Sequence, residues 1–234
     1  MCNRYSTPEI AEIEREWEIG RRAPNRWWRP SIGPMQDGPF VRAQGELAVG
    51  QWTLIPDGSG TPIPQDRNGR RLSTNNTRRE KLKIRASIAH PIWSRGQRCL
   101  IPAVDFDEPY WGTGANIWWR FARADGKLWA LGGLWNDWID PATGEVVSSY
   151  SMLTQNCDAH PLLKLMHKPE RDKNGNVLPP EKQDKRAVVP IEREHWDQWL
   201  HGTPAQADAL IQLPALEVFA HGAADPAKQV PLPL

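Results

Sequence analysis

The chain is poor in cysteine, with only Cys2, Cys99 and Cys157, and it has no C-x-x-C or H-x-x-x-H pair. An odd, widely spaced set argues against a disulfide framework and suits a reducing compartment. It also leaves no ligand set for structural zinc, so no metal is expected. There is no apolar run of the roughly 18 residues that a spanning helix requires. Nor does a basic segment followed by an apolar one open the chain, so no membrane partner or secretory leader is expected. A cytoplasmic location follows as the expectation, nucleoid-associated if the source is bacterial. Internal repeats and shifts of composition are missing too. One domain over residues 2–222, a Pro-rich tail over 223–234 and a monomer are expected. With a net charge of only +1 the protein is not globally basic, so any nucleic-acid site must be a local patch.

Tryptophan, by contrast, is abundant at 13 residues, most of them expected in the core. Arginine is dense early in the chain: Arg21, Arg22, Arg26, Arg29, Arg67, Arg70, Arg71, Arg78, Arg79 and Arg85. Ser6-Thr7-Pro8-Glu9 reads as a helix start capped by Ser6 or Thr7. Ile10, Ile13 and Trp17 form its apolar face and Gly20 its stop. Residues 21–45 read as a long ordered loop in which Trp27, Trp28 and Phe40 need burial. Strands are expected at Leu47 to Ile55, Arg98 to Pro102, Val146 to Thr154 and Ala187 to Ile191. Ile117 to Ala124 and Leu128 to Trp135 flank Asp125-Gly126, which reads as a hairpin. Asp158 to His167, Glu192 to Leu200 and Gln206 to Ile211 read as helices, and the tail after Gly222 as frayed. The sum is an α+β domain built on antiparallel sheet.

Cys2 carries the most distinctive chemistry. A methionine before a small residue is usually clipped, which would leave Cys2 with a free α-amine and a thiol on adjacent carbons. The amine adds to an aldehyde and the thiol then closes a five-membered thiazolidine ring. An α-amine has an ordinary pKa near 8, so a useful fraction is nucleophilic at neutral pH. Arg4 nearby is expected to lower the thiol pKa or to bind phosphate. Asn76 precedes Arg78-Arg79, a pattern suited to holding a sugar and phosphates. Glu108 belongs to three acids after an apolar strand, and His160 and His167 suit proton transfer. Each also has a plain reading: a small residue at position 2, a polar turn, a solvated acidic turn, a packed histidine, a surface charge.

The order of these residues does more than any one of them. Met1-Cys2-Asn3-Arg4-Tyr5 resembles the Met-Cys-Gly-Arg-Phe opening of the SOS response-associated peptidase (SRAP) family, whose members crosslink to abasic DNA. Gln51-Trp52-Thr53-Leu54-Ile55-Pro56 is similar to its tryptophan strand. Asn76-Thr77-Arg78-Arg79-Glu80 resembles its Asn-Ala-Arg-x-Glu motif. Arg98 to Glu108 matches its Arg-Cys-Leu-x-Pro-Ala-x-x-Phe-x-Glu segment, with Pro109 where the family has tryptophan. Tyr150 to Thr154 and Met166-His167 follow in family order, and the latter favours His167 over His160. Asn3 replaces the family's glycine, and residues 168–185 separate His167 from Arg186.

The resemblance implies a barrel-like sheet with flanking short helices. It also implies a covalent thiazolidine crosslink between Cys2 and an abasic site in single-stranded DNA, in which Asn76 holds the sugar, Glu108 shuttles protons and His167 protonates the ring oxygen. Arg4, Arg78 and Arg186 are implied at the DNA backbone, and Trp52 beside the lesion or in the core. No cofactor is needed. An N-terminal-nucleophile cysteine amidohydrolase, a peptidase and a non-catalytic single-strand-binding module remain alternatives.

Overall fold

The protein is described by a computed structural model covering residues 2–19 and 27–233. In chain order the strands are β1 Arg4–Ser6, β2 Ser31–Ile32, β3 Asp37–Val41, β4 Leu47–Trp52, β5 Asn76–Arg78, β6 Arg98–Ala103, β7 Asp105–Tyr110, β8 Ile117–Arg123, β9 Trp129–Ile139, β10 Val146–Asn156, β11 Arg186–Val188 and β12 Phe219–Ala223. The α-helices are short: α1 Ile10–Trp17, α2 Ala89–Ser94, α3 Trp196–His201 and α4 Pro204–Ala209.

Among the described residues the strands form two sheets. One runs β12-β8-β7-β1-β2. The other runs β11-β10-β4-β3-β6-β9, with β5 also on β10, and it closes on itself because β9 pairs with β10. The α+β, antiparallel, barrel-like architecture is therefore as expected. The exception to the antiparallel rule is β10, which runs parallel to both β4 and β5.

Among the described residues the chain crosses between the sheets four times, and two of these crossings bracket the β7–β8 pair. At Val104 the apolar run of β6 ends and β7 begins in the other sheet, with the Val104 amide donating to Ser6 O at 2.8 Å. The Asp125-Gly126 turn is the second, and here the hairpin expectation is overturned. β8 pairs with β7 and β12, whereas β9 pairs with β6 and β10. The turn chemistry is local, but the partners of its flanking strands are decided by packing far away in sequence.

Other departures have similar causes. The first helix is capped by Glu9 through a reciprocal bond with Glu12, while Ser6 lies in β1 and Thr7 bonds Arg29 O. The expected stop at Gly20 and Arg21, Arg22 and Arg26 lie outside the described residues. Gly38 and Pro39 disguise β3, which stands where a loop was expected. Phe40 is buried as required, but Trp27 is 83% exposed. Asp158 to His167 is not a helix; it holds a single 3-10 turn at Leu163–Leu165. The tail expected to fray packs Val230 and Leu232 against the core.

Gly38 has a specific job. A Cβ there would collide with the hydroxyls of Tyr5 and Tyr150, which bond each other at 2.5 Å in the core beneath β1. Gly38→Ala should therefore cost about 1–3 kcal/mol by overpacking. Thermal unfolding reads it as a Tm lowered by several degrees, and an unchanged Tm would contradict the packing described.

Candidate active site

The site is built where β1, β5 and β7 meet a segment that follows β10. The β1–β7 register sets Arg4 opposite Asp107, which brings the start of the chain alongside Glu108. Pleating turns successive β7 side chains to opposite faces. Phe106, Glu108 and Tyr110 are buried on one side. On the other, Asp107 takes Arg4 Nε at 2.6 Å and Arg120 Nε at 3.0 Å. Of the two readings of these acids, a proton-transfer group at a strand end or a solvated turn, the turn is ruled out: they lie within a strand, with Asp107 and Glu108 both about 1% exposed.

Asn76, the first residue of β5, is positioned by its pairing with Met152 of β10. Its Nδ2 donates to the Cys2 carbonyl at 2.7 Å. Its buried Oδ1 has no hydrogen-bond partner among the described residues. An unsatisfied buried acceptor is costly, so this oxygen is suited to receive a donor from a bound molecule. His167 reaches the same place by adding its segment to the edge of β7. Met166 bridges Tyr110, and the His167 amide donates to Pro109 O. The residue takes φ 64°, a left-handed conformation that strains a non-glycine residue. Lys185 Nζ, donating to His167 O at 2.6 Å, helps to hold it there.

His167 Nε2 lies 2.7 Å from Arg186 O and 3.4 Å from Glu108 Oε2. A carbonyl only accepts, so Nε2 carries the proton. Burial pushes the His167 pKa down to about 3, so the imidazole is neutral at physiological pH. Burial pushes the Glu108 carboxyl up to about 7, with Asp107 adding to the rise. Glu108 can therefore give and take a proton near neutrality.

The thiol of Cys2 behaves differently from expectation. Arg4 is turned to Asp107 and stands 5.0 Å over Trp118. Burial, then the charge of Glu108, raises the Cys2 pKa well above its ordinary value. The thiol is held protonated rather than activated as a thiolate. Its Sγ donates to Arg4 O at 3.4 Å.

The structure thus brings Cys2, Asn76, Glu108 and His167 together. His160 lies apart, with Nε2 on Pro214 O. Trp52 is wholly buried, its indole N–H on Asn75 O and its ring edge-on to Tyr5, so here it is core. Arg78 and Arg186 share Asp184, at 2.8 Å and 2.5 Å, and Arg186 also grips both oxygens of Glu80.

Three further residues belong to this neighbourhood. Asn75 is buried, with Nδ2 3.5 Å from Cys2 O and 3.4 Å from Asn3 Oδ1, so Asn3 takes part in holding the N-terminus. The doubled asparagine was its only signal. Cys157 is a buried thiol pushed up to about 12 by burial and by Glu108. Nothing in its local sequence announced it, nor the reach of Lys185.

Among the described residues no group of His, Cys, Asp and Glu could hold a metal ion, and no helix is long and apolar enough to cross a membrane. Residues 1–223 match the sequence profile of the family described as SOS response associated peptidase (SRAP). A solved protein from Bordetella bronchiseptica is similar at 26% identity and a TM-score of 0.79, covering 96% of this chain and 100% of its own. Another from Bacteroides thetaiotaomicron shares the fold at 18% identity and a TM-score of 0.69, over 95% of this chain and 91% of its own. A phage-related protein of Bordetella bronchiseptica does so at 17% identity and a TM-score of 0.60, over 96% and 94%. No curated protein matches the sequence.

Proposed function

The chain belongs to the SOS response-associated peptidase family, and from that premise we propose that it captures abasic sites in single-stranded DNA as a covalent thiazolidine on Cys2. The observation that carries this reading is the Asn76 amide on the Cys2 carbonyl at 2.7 Å, in a pocket that also holds a carboxyl titrating near 7.

Removal of Met1 frees the Cys2 amine. In the substrate, opening of the abasic sugar moves a proton from the C1′ hydroxyl to the ring oxygen, and the Glu108 carboxyl, with His167 beside it, is suited to relay it. The amine attacks the C1′ aldehyde to give a carbinolamine. Protonated Glu108 gives its proton to the departing hydroxyl, which leaves as water, and an iminium remains. Cys2 Sγ then bonds C1′ while its proton passes to the Glu108 carboxylate. One water is released and no electrons are transferred. A thiol held protonated suits this order, in which the amine acts first. It suits a thiolate peptidase less well, because such enzymes depend on a depressed thiol pKa.

The direct test is a denaturing gel of the purified protein with a single-stranded oligonucleotide carrying one abasic site. A heat-stable shifted band is expected from protein with a free Cys2 and none from protein with a retained N-terminal tag. A glutaminase or peptide-hydrolysis signal without a band would favour the hydrolytic readings instead.

A further inference from the structure

Residues 168–185 form a built structure rather than a loose connection. Arg171 and Val177 make an antiparallel bridge, Leu178 N donates to Glu170 O at 2.8 Å, and Asp172 accepts the amides of Asn174 and Asn176. Gln183 ties both limbs together, accepting from Glu170 N and donating to Leu178 O at 2.6 Å.

This hairpin roofs a cavity of about 410 Å³. Its walls are mainly Tyr110, Trp111, Leu165, Val177, Leu178 and Pro180. That is the size and apolar character of a small-molecule site. The cavity adjoins the candidate active site, because His167 lines it and also stands 3.4 Å from Glu108. The lysines that line it are Lys164 and Lys185, and Lys168 stands beside it with Nζ 5.1 Å from the centre of the Trp111 ring. Asp158 and the exposed Glu170 lie close by. Asp158 is already engaged by the Lys185 amide and Asn156.

We propose that this cavity receives one nucleobase of single-stranded DNA, the neighbour of the sugar held at Cys2, against Trp111. The inference rests on the DNA reading above. An apolar slot with an indole wall and ammonium groups at its edge matches a base with its phosphate, and base–aromatic stacking tolerates any sequence. The roof is built from residues that separate His167 from Arg186, so the hairpin would give this chain a grip on the strand beside the lesion.

The test uses the full chain with fluorescent single-stranded oligonucleotides that carry a tetrahydrofuran abasic analogue, which binds without reacting. A second base is deleted on the 5′ or the 3′ side, and affinity is read by anisotropy at fixed salt. Deleting the base on one side should weaken wild-type binding roughly 5- to 100-fold. Trp111→Ala should bind both oligonucleotides alike, and Trp111→Phe should restore part of the preference. Indifference of the wild type to both deletions, a preference that survives in Trp111→Ala, or no binding at all overturns the proposal. The gel assay stays separate. A missing crosslink with the base preference kept sinks the thiazolidine mechanism alone, and the reverse sinks the base site alone.

Discussion

Cys2→Ser protein, mixed with abasic single-stranded DNA, is expected to leave no heat-stable adduct but to be trapped on the DNA by borohydride. Serine keeps the α-amine, so the iminium still forms and hydride reduces it to a permanent amine. It lacks the thiol that closes the stable ring in the wild type. The heat-stable product should fall by at least about a hundredfold, the lower end of what a positioned catalytic group contributes. Glu108→Gln would reduce crosslinking over the same range, because Gln cannot pass a proton. A Cys2→Ser adduct as heat-stable as the wild type would remove the thiol from the mechanism. Absence of borohydride trapping in both proteins would remove the amine.

Glu108→Gln should also make the protein more stable at pH 8. The carboxyl is buried and titrates at about 7 instead of 4.5. The folded state therefore binds this proton more tightly than the unfolded chain does. Between pH 4.5 and about 7 the unfolding free energy falls as pH rises, and above 7 the cost is fully present. A rise of that size corresponds to about 3 kcal/mol. Gln fills the same space without charge, so Tm at pH 8 should rise on the order of 5–10 °C. At pH 4.5 and below both proteins carry a neutral group and the gain should vanish. Equal Tm values at pH 8 would mean that Glu108 is already ionised without penalty, and its role in passing protons would go with it. Stability given up at pH 8 in a group that the reaction uses is the pattern of a functional carboxylate.

Much of the site was legible because its residues sit in short ordered motifs. Cys2 with Arg4, Asn76 with Arg78, and Glu108 after Arg98 to Ala103 each admit a plain reading alone, and it is their order, which resembles that of the family, that picks them out. The strand at Arg98 and the α+β class were readable from apolar runs and turns. Register was not. Nothing near Asp125-Gly126 says that β8 and β9 belong to different sheets, because that depends on β6, β7 and β10. The sequence offers Arg4 as an influence on the thiol or as a phosphate contact, yet it faces Asp107, a residue about a hundred positions away whose pairing only the β1–β7 ladder reveals. Trp27 and Trp52 are the same residue type with opposite fates, one exposed and one buried, and composition treats them alike. Asn75 was visible only as a neighbour of Asn76, because its task depends on where residue 2 comes to rest.

The carboxylate of Asp184, set between Arg78 and Arg186, has a consequence for how the surface would exchange ions. Nucleic acid carries condensed cations, and arginines that neutralise its phosphates release them, which makes binding weaken with salt. Here Arg78 and Arg186 already stand against Asp184 and Glu80, two cations with two acids. A phosphate arriving there would meet a nearly neutral cluster and compete with a tethered carboxylate. The arginine count alone would therefore overstate both the pull of this spot on a phosphate and the salt dependence that it would add.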